Sequence, residues 1–340
     1  MAECSSADSP LIPRSPTRRA VLRALTCGIV GMALEAPAQP KPKAWRIGFL
    51  ASGSAAMRVY KGLGDGMRAL GYVEGGNLSV QRRFADGNYR RLAGLAVDLV
   101  PLGLDVVIAE STLGVQAARQ ATTTIPIVMV AVPDPVGEGF ATSLSRPGGN
   151  ITGLSNIVTE VSAKHVELLR LAVPRLVRLA VLINPLNPSD ALILEQVQGA
   201  AYARGMKVLV VEAGTESQIE AGFGEMIRAH TEALIVAADS YFDVQMDQIA
   251  QLALKSRLPT ISSNREMTEA GSLMSYGQDL TEHYRRAATY VDKILKGARP
   301  GDLPIEQPTV LELVINRKTA RALGLAIPQE LSLRADKLIE

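Results

Sequence analysis

Cysteine is scarce in this 340-residue chain: there are two, Cys4 and Cys27, both near the amino end. Beyond Cys27 no thiol exists to form a disulfide, a thiolate nucleophile or a cysteine metal ligand, so folding there rests on core packing alone. Histidine numbers three. His165, His230 and His283 fall in helical patterns with no HxxxH or HxxE spacing, which argues against a metal centre. A surplus charge of one sign is also missing, since 36 basic residues face 34 acidic ones. That balance gives no footprint for nucleic acid or a membrane surface. No GxSxG elbow and no Walker A sequence occur. Gly62-Leu63-Gly64-Asp65-Gly66 is glycine-rich, but it lies inside a helical pattern about ten residues past a strand, not at a phosphate-cradling turn. No cofactor is expected.

Long apolar runs are absent outside the first 40 residues, which excludes a transmembrane bundle. The amino-terminal segment itself reads as an export signal over residues 1–38. Arg18 and Arg19 precede an apolar stretch over 24–34, followed by the small-residue cleavage pattern Ala36-Pro37-Ala38. The stretch is about half of the roughly 20 residues a spanning helix needs, and Glu35 closes it, so stable membrane insertion is not expected. The arginine pair suits the twin-arginine exporter; Sec export also accepts such a basic start. The expected location is the periplasm, with the mature chain starting near Gln39. About 300 residues then remain, at 47% hydrophobic over the whole chain, enough for two lobes of ordinary size.

From Trp45 onward, short apolar runs alternate with longer helical patterns, the signature of βαβ units and a mainly parallel sheet. Strands are expected over 46–50, 78–84, 106–109, 127–130 and 151–154, with helices over 60–70, 89–100 and 114–121 between them. A second series repeats the plan: helix 159–172, strand 179–183, helix 188–204, strand 207–211, helix 216–229, strand 233–237 and helix 243–255. Strand-like runs 259–262 and 273–276 follow, then a strong helix over 280–296. Pro300, Pro304 and Pro308 make 297–308 an extended connector. A strand over 310–315 and a helix over 317–323 finish the pattern. The fold class is therefore α/β, with two doubly wound parallel-sheet lobes. Open sheets of this kind place ligands at the carboxyl ends of their strands, so facing lobes create a cleft with a hinge.

Several segments carry a family resemblance. Leu144-Ser145-Arg146-Pro147-Gly148-Gly149-Asn150-Ile151-Thr152-Gly153 resembles the "ARPGGNxTG" run of the ABC-importer substrate-binding family that includes tryptophan- and phenylalanine-binding receptors. Ile125-Pro126-Ile127-Val128, Asp134-Pro135-Val136, Leu273-Met274-Ser275-Tyr276-Gly277, the run over 290–297 and the run over 303–309 match it in the same order, across 45–328. The resemblance implies a type I periplasmic-binding fold, no catalysis, and delivery of a small solute to a membrane permease driven by a cytoplasmic ATPase. It also implies three crossings between lobes, near 155–158, near 276–279 and before Val310. The first lobe would then be 45–154 plus 280–300, and the second 158–276 plus 309–328. A monomer is expected.

Strand-end loops name the candidate ligand contacts. The first lobe offers Ser52 and Ser54 after its first strand, Ser111 and Thr112 after the third, and Asp134 after the fourth. Hydroxyls beside helix starts suit a carboxylate, because amino-terminal amides are unpaired donors. The second lobe offers Asn184, Asp239, Ser240, Asn264 and Tyr276; Asp239 could pair with a substrate ammonium. Six have a purely structural alternative: Ser111, Thr112 and Asp239 as helix caps, Asn184 and Asp134 as turn residues, Tyr276 as hinge packing. The leading function is a periplasmic receptor that closes on an amino-acid-like solute. A sensor accessory protein of the same fold stands beside it. An enzyme on this scaffold would need acids or bases converging on the cleft, with Asp134 and Asp239 the visible pair. A cytoplasmic repressor core would need a helix-turn-helix where the export signal stands.

Overall fold

The computed structural model describes residues 44–340; the expected export signal lies outside them. The first lobe holds five parallel strands, β1 (Trp45–Ala51), β2 (Leu78–Phe84), β3 (Val106–Glu110), β4 (Ile127–Val132) and β5 (Ile151–Ser155), in the order β2-β1-β3-β4-β5. The second holds seven, β6 (Arg178–Ile183), β7 (Lys207–Glu212), β8 (Ala233–Val236), β9 (Thr260–Ser262), β10 (Met274–Gly277), β11 (Glu312–Asn316) and β12 (Lys337–Ile339), in the order β12-β11-β10-β9-β8-β6-β7. Strands β6 to β10 repeat the order of β1 to β5, so the duplicated sequence pattern is a duplicated winding. Only β10 and β11 pair antiparallel among these strands. Beyond Pro328, where the sequence pattern runs out, a helix over Gln329–Arg334 leads into β12, which extends the second sheet.

Alternation along the strands divides each lobe's core between two sheet faces. In the first lobe Ile47, Phe49, Val106, Ile108 and Val128 face α1 (Lys61–Ala69), and the opposite set, Leu50, Val107, Ala109, Ile127 and Met129, faces α2 (Leu92–Leu99) and α3 (Ser111–Ala121). Edge strands β2 and β7 bury fewer positions, as strands with one free side do. In the second lobe α4 (Val158–Ala172) and α5 (Ser189–Tyr202) cover one face, and α6 (Glu216–Arg228), α7 (Ser240–Val244) and α8 (Met246–Lys255) the other. A short α9 (Arg265–Ala270), not evident in the sequence pattern, follows β9.

Helix α10 (Leu280–Leu295) follows β10 of the second sheet yet packs on the first, burying Tyr284, Tyr290 and Val291 against it. Its close partner is α1. A Cβ at Gly62 would lie 2.0 Å from the Thr281 carbonyl oxygen and one at Gly66 2.6 Å from that of Arg285, so the glycines let two helix backbones touch. The glycine-rich run is thus a packing surface. The chain crosses between sheets three times, at 156–157, 278–279 and 307–311. At the third crossing the backbone N–H of Ser155 donates to the Glu306 carbonyl at 3.0 Å, and Arg286 grips the Glu306 carboxylate with two bonds of 2.8 Å. The Arg146-Pro147-Gly148 run lies below this connector: Ile305 donates to Leu144 and Gly148 to Gly301. Among the described residues no helix is long and apolar enough to cross a membrane.

Candidate functional site

Strand order reverses between β1 and β3 in the first lobe and between β6 and β8 in the second, and crevices open at the carboxyl ends of such strand pairs. Both crevices face one cavity. Counting the part open to solvent, it has about 790 Å³ of empty volume. It receives Tyr89, Glu110, Ser111 and Ala131 from the first lobe, Ser189, Asp239, Asp243 and Asn264 from the second, and Asn156 and Gln278 from two crossings. Of the sequence candidates, Ser111, Asp239, Ser240 and Asn264 line it; Ser52, Ser54, Thr112, Asp134, Asn184 and Tyr276 do not.

In the first lobe Glu110 ends β3 as a buried carboxylate. Its Oε2 accepts from the backbone N–H of Ser52 at 2.9 Å and from the Tyr60 hydroxyl at 2.9 Å. Burial pushes its carboxyl above the ordinary range despite these donors. Ser52 is fully buried beneath the cavity, its hydroxyl 2.6 Å from that of Ser111. Ser111 begins α3 with φ 65°, and Ala131 has φ 61° at the point where β4 slips register against β5. Two non-glycine residues in the left-handed region, both at the cavity wall, are the kind of strain that gathers at ligand sites. Ser54 bonds locally to Ala56, Asp134 to Gly137 in a turn, and Tyr276 gives its carbonyl to His165 at the second crossing.

In the second lobe Asp239 caps α7, its Oδ1 accepting from Tyr241 N at 2.9 Å and Phe242 N at 3.2 Å. The helix expected from Asp243 therefore starts at Ser240 and breaks at Gln245 before α8. The other oxygen of Asp239 accepts from the Tyr89 hydroxyl at 2.6 Å and from Asn187 Nδ2 at 3.0 Å. Asn184 serves the same cluster, donating its side-chain amide to Asp239 and its backbone N–H to Asp190. Burial raises both Asp239 and Asp190, and the neighbouring Asp239 charge raises Asp190 further. The early helix start also turns Asp243 into the cavity. Its Oδ1 accepts from Asn264 Nδ2 at 2.8 Å, and its Oδ2 has no partner among the described residues. Loss of water pushes this carboxyl up to about 7.

Contacts that join the lobes include the Tyr89 hydroxyl, which donates to Asp239 and accepts from Ser240 N at 3.2 Å, Thr112 Oγ1 to Ser189 Oγ at 3.3 Å, and, at a neighbouring cleft, Arg58 to Glu266 and Glu269. Among the described lining residues three are acidic, Glu110, Asp239 and Asp243, and none is lysine, arginine or histidine. Tyr89, Asp243 and Gln278 escaped the sequence reading because none immediately follows a switch-point strand. No group of three or more His, Cys, Asp or Glu among the described residues could hold a metal ion.

Twin wound lobes around a shared polar cavity define a two-lobed solute-binding protein. The chain belongs to the ABC transporter substrate binding protein family, whose model matches residues 47–339. It is 28% identical over 270 residues to the tyrosine-binding protein of Clostridioides difficile (strain R20291), covering 79% of this chain and 77% of that one. An ABC domain from Streptococcus pneumonia, solved in complex with L-Trp, is 26% identical with a TM-score of 0.81, over 87% of this chain and all of that one. A conserved domain protein from Vibrio cholerae is 28% identical with a TM-score of 0.82, again over 87% of this chain.

Proposed function

We propose that the protein is the periplasmic solute receptor of an ABC importer, closing its lobes on one small amino-acid-like solute and presenting it to a permease driven by a cytoplasmic ATPase. The observation that carries the ligand class is the acidic cavity without a cation. A solute entering it gains by bringing positive charge, and Asp243, with one oxygen free of protein donors, is the direct partner for an ammonium. Asp239 adds negative potential while spending its own bonds on the α7 cap and on Tyr89. The solute's carboxylate goes to the opposite wall, where the Ser111 hydroxyl and the amino end of the 11-residue α3 supply donors and a favourable dipole. Tyrosine and tryptophan, the ligands in the names of two relatives, have both handles. Hinge rotation about the three crossings would make and break the Tyr89 and Thr112 contacts.

A thermal-shift panel of amino acids, small carboxylates and sugars tests this reading. A solute held only by the folded chain raises the melting temperature by mass action, about 2.7 kcal/mol of stabilisation at a hundredfold excess over Kd. The reading expects a shift with at least one amino acid and none with sugars. Shifts with sugars alone would refute it.

A further inference from the structure

Gln278 is 8% exposed, yet neither its amide nitrogen nor its amide oxygen meets a hydrogen-bond partner. Among the described residues that line the cavity, it alone has unpaired side-chain polar atoms sealed from solvent, which the unpaired Asp243 Oδ2 is not. Its backbone is pinned on both sides. A Cβ at Gly277 would lie 2.3 Å from the Ser263 carbonyl oxygen, so only glycine fits there, and Asp279 caps α10 by accepting from Glu282 N at 3.1 Å. Between these anchors, in the second crossing, the residue lines the cavity and the two clefts beside Arg58 and Glu306, with its amide atoms sealed from solvent.

A buried carboxamide with no partner opposes the arrangement that buries it, because each unmade bond forfeits the hydration that the open group enjoyed. We propose that Gln278 reads occupancy for the hinge: closure without solute strands its donor and its acceptor, and a bound zwitterion supplies a partner for each. A zwitterionic head group suits the demand, since an ammonium gives to Oε1 and a carboxylate takes from Nε2. The residue then does two things at once. It favours solutes with both handles, and it holds the solute-free receptor open, because the closed form is penalised until a solute removes the penalty. This rests on the amino-acid reading above for the identity of the solute, but the bias toward the open form does not.

The test is small-angle X-ray scattering from the wild type and from Gln278→Met, which keeps the length of the side chain and removes its polar atoms. Without solute, the variant's closed-to-open ratio rises about tenfold or more, read as a smaller radius of gyration than the wild type's. With L-tyrosine or L-tryptophan, calorimetry shows the variant binding about tenfold or more weakly. Gln278→Leu repeats both measurements should the first variant fail to fold. A solute-free variant that scatters like the wild type overturns the proposal, as it would if water satisfied both amide atoms in the closed form. If neither amino acid compacts the wild type, the amino-acid reading fails, and the solute-free comparison still decides the role of Gln278.

Discussion

Replacing Asp243 by Asn separates binding from stability at one residue. The amide keeps an acceptor for Asn264 Nδ2 and cannot ionise. In the folded protein the Asp243 carboxyl is pushed from 3.8 up to about 7, mainly by loss of water, while Asn264 opposes the shift and Asp239, Glu110 and Glu266 add to it. Between those values the folded chain keeps a proton that the unfolded chain has released. Stability therefore falls as pH rises through the window, and the full loss is present above about 7. At about 1.4 kcal/mol per pH unit the ceiling is about 4 kcal/mol; partial access to solvent lowers the working figure to about 1–2 kcal/mol. Thermal unfolding followed from about pH 4 to pH 8 reads this directly. The variant should gain on the wild type as pH rises, ending a few degrees more stable. Its affinity for an amino acid should drop by about 2 kcal/mol or more, some 30-fold, because the ammonium loses its charge partner. Wild-type affinity should also weaken as pH falls below about 7, where the carboxylate takes up a proton. Parallel unfolding profiles with unchanged affinity would refute the assignment.

Tyr89→Phe removes the 2.6 Å bond between the lobes, and solute release followed by stopped flow should quicken about tenfold, the value of a hydrogen bond to a charged acceptor. An unchanged release rate would mean that this contact plays no part in retention. Gly62→Ala drives a Cβ against the Thr281 carbonyl oxygen at 2.0 Å and should cost about 1–3 kcal/mol in denaturant unfolding with binding preserved; a neutral result would deny the α1–α10 backbone contact its role.

The doubly wound plan was legible because runs such as 46–50 and 179–183 alternate with amphipathic helices, and each carries its own period. Long range order was less so. Nothing local announces that residues 337–339 return to β11, since three half-buried residues have no periodicity to read. The site followed the same division. Ser111, Asp239, Ser240 and Asn264 reach the cavity because they directly follow central strands, the rule that nominated them. Ser54 and Asp134 obey the rule and still turn into local bonds, since short polar side chains satisfy nearby N–H groups as readily as a ligand. Asp243 depends on where α7 starts, a matter of one helical turn, and sequence patterns place helix ends only to within a few residues. Tyr89 lies in a 3-10 turn after an edge strand and matters only because the second lobe brings Asp239 to it. Gln278 looks like any linker residue until burial leaves its amide alone.

Calorimetry with matched ligands asks whether the two lobes trap an ammonium-bearing solute over an acidic floor. L-tyrosine and L-tryptophan are each compared with the same molecule lacking its amino group. At least one amino acid should bind with a negative heat-capacity change, and its deaminated twin at least about 30-fold more weakly. Equal affinity within each pair, or tighter binding of the acids that lack the amine, would contradict it.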